Sequence, residues 1–167
     1  MRLFLGIEIP ENIKSAISSY LEPLKKSPEG WEVSHDYHLT LLFIGEIDAV
    51  KLMEIKTKIE IVKFEPFIIN IGELRFFNRR VAYMQVEPNP QLLSLRQKIH
   101  ELFPAWVKSD EKPFVPHITV KRWQRYEYDE MLKGIEGKSF SESFEVRVVS
   151  IFESKKDSRG FKYHTIN

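Results

Sequence analysis

The spacing of apolar and polar positions along the chain changes period several times. Leu3 to Ile9 is a short β-prone run closed by Pro10, which predicts a strand. From Glu11 to Leu24 the apolar residues Ile13, Ile17, Leu21 and Leu24 recur at helical spacing, before Pro28 and Gly30 interrupt the chain. His38 to Ile44 reads as a second strand. Asp48 is placed to cap a helix whose apolar positions include Val50, Met53, Ile59 and Val62. A third strand follows from Phe67 to Leu74, then a loop with Asn78, Arg79 and Arg80.

The same order then recurs. Val81 to Val86 is a strand, and Asn89 caps a helix that starts at Pro90 and carries Leu92, Leu95, Ile99 and Leu102. Pro113 and Pro116 flank a break before the strand His117 to Val120. A weaker helix is expected near Glu127 to Leu132, one strand from Phe144 to Phe152, and a last strand near Tyr163 to Ile166. An offset of 79 positions carries Phe4 onto Tyr83, Glu11 onto Pro90, His38 onto His117 and Phe67 onto Val146. Strand falls on strand and helix on helix. The pattern predicts an α+β fold in which a β-α-β-α-β unit is used twice, with mainly antiparallel sheets facing across a central cleft. The whole of 1–167 is then one two-lobed domain, with pseudo-repeats at about 1–78 and 79–167.

Composition narrows the chemistry. A chain of 167 residues with 43% hydrophobic and 29% charged residues can bury a full core without a staple. The absence of cysteine removes disulfides, thiolate nucleophiles and cysteine-based zinc sites. The first apolar run is broken by Glu8, too early for a signal peptide or membrane span, so a cytoplasmic protein is expected. With a net charge of +1 the chain has no global field for a polyanion, which leaves a small, local phosphate site.

That site is suggested by two matching tetrapeptides, His38-Leu39-Thr40-Leu41 and His117-Ile118-Thr119-Val120. The chain has five His and four Thr, so chance would give roughly 0.1 His-x-Thr match, and here two occupy equivalent repeat positions. Alternation along a strand puts each imidazole and its hydroxyl on one face, and the aliphatic residues on the other. Two opposed imidazoles suit a phosphoryl transfer in which one removes a proton from the nucleophile and the other protonates the leaving oxygen. The hydroxyls of Thr40 and Thr119 can hold the non-bridging oxygens. No metal or cofactor is required. A zinc site ranks lower, because neither motif brings a second His or a carboxylate to the same face.

These residues resemble the RNA 2′,3′-cyclic phosphodiesterase family, also called 2′-5′ RNA ligases, within the two-histidine phosphoesterases. The likeness runs from Arg2-Leu3-Phe4 through Trp31, His38 to Glu46, and Pro116 to Val120 with Arg122, and on to Ser154, Gly160 and Tyr163. His35 and Asp36 interrupt the usual approach to the first motif. The resemblance implies hydrolysis of an RNA terminal 2′,3′-cyclic phosphate to a 2′-phosphate, with His38 as proton donor and His117 as acceptor. It also implies the reverse 2′-5′ joining, tRNA halves included, and RNA as the partner. The lack of a long apolar stretch leads to the expectation of no membrane, and no obligate protein partner is expected. Phe43 would stack on a base and Arg122 would meet phosphate.

Strict alternation turns Phe43 and Arg122 away from the histidines, so such contact needs a bulge, whereas Lys121 shares the His117 face by parity. The run Arg75 to Arg80 mixes basic and aromatic residues in a way that suits single-stranded RNA, or an ordinary hairpin. His35, His100 and His164 lack a Thr two positions on and receive no role. The competing readings are a related phosphodiesterase on 2′-5′ oligonucleotides or nucleotide cyclic phosphates, and a non-catalytic RNA-binding module.

Overall fold

The Leu3–Ile9 run forms a strand as its composition predicts, β1 (Arg2–Glu8), whose backbone pairs on both edges. In the computed structural model described here, residues 1–23, 36–78, 80–107, 113–122, 138–157 and 160–166 are described. After β1 come α1 (Glu11–Leu21), β2 (His38–Glu46), α2 (Ala49–Glu60), β3 (Phe67–Phe77), β4 (Val81–Val86) and α3 (Pro90–Leu102). A short 3-10 turn follows at Pro104–Trp106, then β5 (His117–Arg122), β6 (Glu142–Val146), β7 (Ser150–Asp157) and β8 (Gly160–Thr165). The helix expected near Glu127 to Leu132 lies outside the described residues, as do Leu24, Trp31 and His35. None of the described helices is long and apolar enough to cross a membrane.

The expected α+β class and antiparallel pairing hold. The strands form one sheet in the order β6-β3-β4-β5-β2-β1-β7-β8, every neighbouring pair antiparallel. Its middle is its narrowest join: β2 and β5 pair through Leu39 and Ile118 alone. On one side stand β2, β1, β7 and β8, and on the other β5, β4, β3 and β6. Each side draws on both halves of the sequence. β3, from the first half, lies beside β4, and β7, from the second, lies beside β1.

That interleaving explains one departure from the sequence pattern. The single strand expected from Phe144 to Phe152 is broken at Arg147–Val149. Its first part pairs with β3 and its second with β1, on opposite sides of the join, so one straight strand cannot serve both.

The caps are where local chemistry asks for them. Asp48 accepts from the Lys51 backbone N–H at 2.8 Å, and Asn89 accepts from Leu92 N–H at 3.0 Å. Asn89 also donates to the Ile68 carbonyl at 2.8 Å, tying the start of α3 to β3. Leu92, Leu95 and Ile99 of α3 are buried, each contributing roughly 1.5–3 kcal/mol by leaving water. In α2 the expected face is only partly covered. Ile59 and Val62 pack against the core as expected. Val50 and Met53 are 80% and 64% exposed, while Ile55 is fully buried and Leu52 packs against the core. With apolar residues on more than one side of α2, only the neighbouring elements choose which side is covered.

The core lies on the helix side of the sheet, where Leu3, Leu5 and Ile7 of β1 meet Leu39, Leu41 and Ile118. The other face of β1 carries Phe4 and Gly6. A Cβ on Gly6 would stand 2.6 Å from the Leu39 carbonyl oxygen and 3.3 Å from the Phe152 ring. The first contact is with backbone and cannot rotate away. Gly6→Ala is therefore expected to destabilise the fold by about 1–3 kcal/mol, read as a lower urea midpoint, and an unchanged midpoint would mean that β1 and β2 can separate freely.

Candidate active site

His38 and His117 begin β2 and β5, one residue before the pair Leu39–Ile118 that joins the two sides of the sheet. Both side chains are half-buried and lie on the face away from the helices, with Thr40 and Thr119 two residues on. They are diagonal neighbours across the join. A regular ladder sets such neighbours roughly 7–8 Å apart. The electrostatic effect of His117 on His38 is consistent with that proximity.

Each ring is held in the same way. His38 Nδ1 donates to the Asp36 carbonyl at 2.9 Å, and His117 Nδ1 donates to the Val115 carbonyl at 2.7 Å. A carbonyl can only accept, so the proton on a neutral ring sits on Nδ1 and Nε2 keeps its lone pair. When a ring is protonated, that same Nε2 becomes a donor. Either imidazole is thus prepared for acid or base work at one atom.

The residues around the two rings come from strands far apart in sequence. Phe4 lies 4.6 Å from the His38 ring and stacks on Phe152 at 4.9 Å, while Tyr163 of β8 meets His38 edge-on at 4.5 Å. On the other side Tyr83 and Phe77 stack at 4.0 Å and stand 5.4 Å and 5.0 Å from His117. The sequence pattern placed Phe77 in a run suited to RNA and Phe4 and Tyr163 within the family likeness, but set none of these aromatic residues beside the histidines. A signal was present: Phe4 and Tyr83 are related by the same 79-residue offset as the histidines.

Phe43 and Arg122 reach the histidine face through matching irregularities. In β2 the pairing steps from Leu5–Leu42 to Gly6–Thr40, so Leu41 is an extra residue. In β5 it steps from Ala82–Lys121 to Tyr83–Thr119, leaving Val120 extra. Leu41 and Val120 are equivalent in the repeat. Each bulge inverts the alternation beyond it. Phe43 therefore pairs with Phe4, lies 6.0 Å from its ring, and is 62% exposed. Arg122 pairs with Val81, and its charge acts on His38, His117 and Tyr163 together. Lys121 is turned the other way, opposite buried Ala82, which corrects the expectation from strict alternation.

Burial holds His38 down to about 4, from an ordinary value near 6.5. The Asp36 carbonyl and carboxylate oppose that fall, while His117 and Arg122 add to it. His117 is also lowered, first by burial and then by Arg122, with the Val115 carbonyl opposing. Asp36 is the asymmetric element. Its repeat equivalent is Val115, so among the described residues the carboxylate acts on His38 and has no counterpart at His117. It also accepts the Tyr163 backbone N–H at 3.3 Å. Among the described residues no group of three or more His, Asp or Glu stands where it could hold a metal ion.

Known proteins share both the fold and the sequence pattern. A phosphodiesterase of Thermotoga maritima, named RNA 2′,3′-cyclic phosphodiesterase, is 32% identical over 134 residues, covering 75% of this chain and 72% of its own. One of the same name from Methanocaldococcus jannaschii is 29% identical over 99% of this chain and 98% of its own. The solved structure of TT0787 of Thermus thermophilus superposes with a TM-score of 0.75 at 24% identity, covering 100% and 96% of the two chains. Escherichia coli LigT in complex with ATP does so at 0.75 and 23%, covering 99% and 95%, which establishes the fold. The 2′-5′ RNA ligase superfamily matches residues 14–158, and the chain belongs to that superfamily.

Proposed function

We propose that this chain is a metal-independent phosphodiesterase that opens the 2′,3′-cyclic phosphate at the end of an RNA to a 2′-phosphate. It would act as one two-lobed domain, with repeats at about 1–78 and 79–167. The observation that carries this reading is the pair of His-x-Thr strands with equivalent bulges, each imidazole tied through Nδ1 to a carbonyl two residues back. The names of the curated relatives support the substrate class.

In the proposed reaction His117 Nε2 takes a proton from water as the water oxygen bonds to phosphorus. The P–O3′ bond breaks, and His38 Nε2–H protonates O3′. Thr40, Thr119 and Arg122 hold the non-bridging oxygens and balance their charge. The exposed Phe43 ring receives the terminal base. Lys121 has no part.

Both imidazoles are neutral near pH 7 before an anion arrives, since both are depressed. The phosphodiester brings negative charge between them and favours one imidazolium. Asp36 favours a proton on His38, which fits the donor role, but burial acts more strongly against it. The donor assignment therefore rests on the family resemblance and on the anion's charge. The opposite direction shares this transition state: a 5′-hydroxyl in place of water gives a 2′-5′ link, and the broken ends of tRNA are among its possible substrates.

The test is to incubate RNA ending in a 2′,3′-cyclic phosphate with the protein in excess EDTA and to locate the phosphate on the product. A 2′-phosphate formed at an undiminished rate is expected. Loss of activity with EDTA would refute metal independence. A 3′-phosphate would reverse the assignment of the leaving oxygen, and binding without turnover would favour an RNA-binding module.

A further inference from the structure

On the His117 side, β4 and the approach to β5 line an open recess of about 400 Å³, whose lining includes Arg75, Tyr83, Gln85, Phe114, Val115 and Pro116. This is within the size range of small-molecule sites, roughly 300–1,000 Å³. It shares a wall with the catalytic imidazole. Gln85 is the direct strand partner of His117, Tyr83 is that of Thr119, and Val115 supplies the carbonyl that holds His117 Nδ1.

The lining chemistry is mixed in a specific way. Arg75 Nε donates to Gln85 Oε1 at 3.2 Å, and a terminal nitrogen lies 3.7 Å from the Glu73 carboxylate. More than half of the Arg75 side chain remains exposed, so its charge can meet an anion. Phe114 offers an aromatic ring, with the Arg96 guanidinium 4.3 Å from its centre as support. A cation, an amide and a ring around one recess suit a nucleotide. On the other side, among the described residues, Asp36 stands where Val115 would, its carboxylate accepts from the Tyr163 backbone of β8, and Tyr163 packs against His38.

We propose that this recess binds the nucleotide whose 5′-hydroxyl attacks the cyclic phosphate in the joining direction. The inference rests on the functional reading above, with His117 as the proton acceptor. The group that His117 deprotonates approaches from the side of His117. Water needs no recess of nucleotide size, whereas an RNA 5′ end does. In the step, the 5′-oxygen bonds to phosphorus while His117 takes its proton. The P–O3′ bond breaks, and O3′ takes a proton from His38. The product is a 2′-5′ phosphodiester with a free 3′-hydroxyl. Arg75 would hold the next phosphate of the incoming strand, and Phe114 its base.

The experiment compares the unaltered chain with Arg75→Glu and Arg75→Lys in three assays. These are hydrolysis of a nucleoside 2′,3′-cyclic monophosphate, hydrolysis of a longer RNA with the same end, and joining of that RNA to a 5′-hydroxyl RNA. Arg75→Glu is expected to keep both hydrolyses within about twofold while joining falls about tenfold or more, with a raised KM for the 5′-hydroxyl strand and partial recovery in Arg75→Lys. Equal loss in all three assays would make Arg75 a support for Tyr83 and His117, and would overturn the proposal. So would unchanged joining, or hydrolysis by the unaltered chain with no joining at all. Slower hydrolysis of the longer RNA, matched by joining, would assign the recess to the preceding nucleotide of the donor strand instead. If the unaltered chain hydrolyses neither cyclic phosphate, the functional reading itself falls, and the subsite with it.

Discussion

His38→Ala and His117→Ala should each slow hydrolysis of a 2′,3′-cyclic phosphate by roughly 10²- to 10⁴-fold, the contribution expected of one general acid or base. The two losses should not multiply. Proton removal and proton delivery belong to one displacement, so once either is lost the other has little left to assist, and the double variant should be only modestly slower than the worse single one. Each ring stands on the sheet face away from the helices, outside the aliphatic core, and among the described residues Nδ1 bonds to a carbonyl at the edge of its own strand. The variants should therefore fold, which a melting curve verifies. A single variant keeping half the rate would remove that histidine from the chemistry.

The second large effect is on stability in acid. His38 is held at about 4 in the folded protein, against about 6.5 when the chain is unfolded. Above pH 6.5 both states carry a neutral ring and the shift costs nothing. Between pH 6.5 and 4 the unfolded chain takes up a proton that the folded protein refuses, and the fold loses roughly 3 kcal/mol over that window. Below pH 4 no further loss comes from this residue. His38→Gln keeps a polar group at the site and removes the titration. Urea midpoints measured from pH 7 down to 4 should fall less steeply in the variant than in the unaltered chain. Parallel curves would show that the protonated ring is accommodated, for example by turning toward the Asp36 carboxylate.

A good part of this site was legible in the linear chain because its signals are local. Helix caps are decided within a few residues, so Asp48 and Asn89 stand where their side chains indicate. The 79-residue offset pairs His38 with His117 and Thr40 with Thr119, and strand alternation alone puts each His and Thr on a common face. The exposed side of α2 and the break at Arg147–Val149 were not legible, because each depends on what packs or pairs from elsewhere.

By itself, then, the order of residues determined the repeated strand and helix plan, the two His-x-Thr pairs and the family to which they point. Tertiary structure decided which neighbours those pairs would have. The bulges at Leu41 and Val120 arise from unequal pairing with β1 and β4, and they alone bring Phe43 and Arg122 onto the histidine face while turning Lys121 away. The depressed His38 likewise comes from burial under Phe4, Phe152 and Tyr163, from three other strands. Periodicity is a property of consecutive residues; register and burial are properties of partners brought together only when the chain has folded.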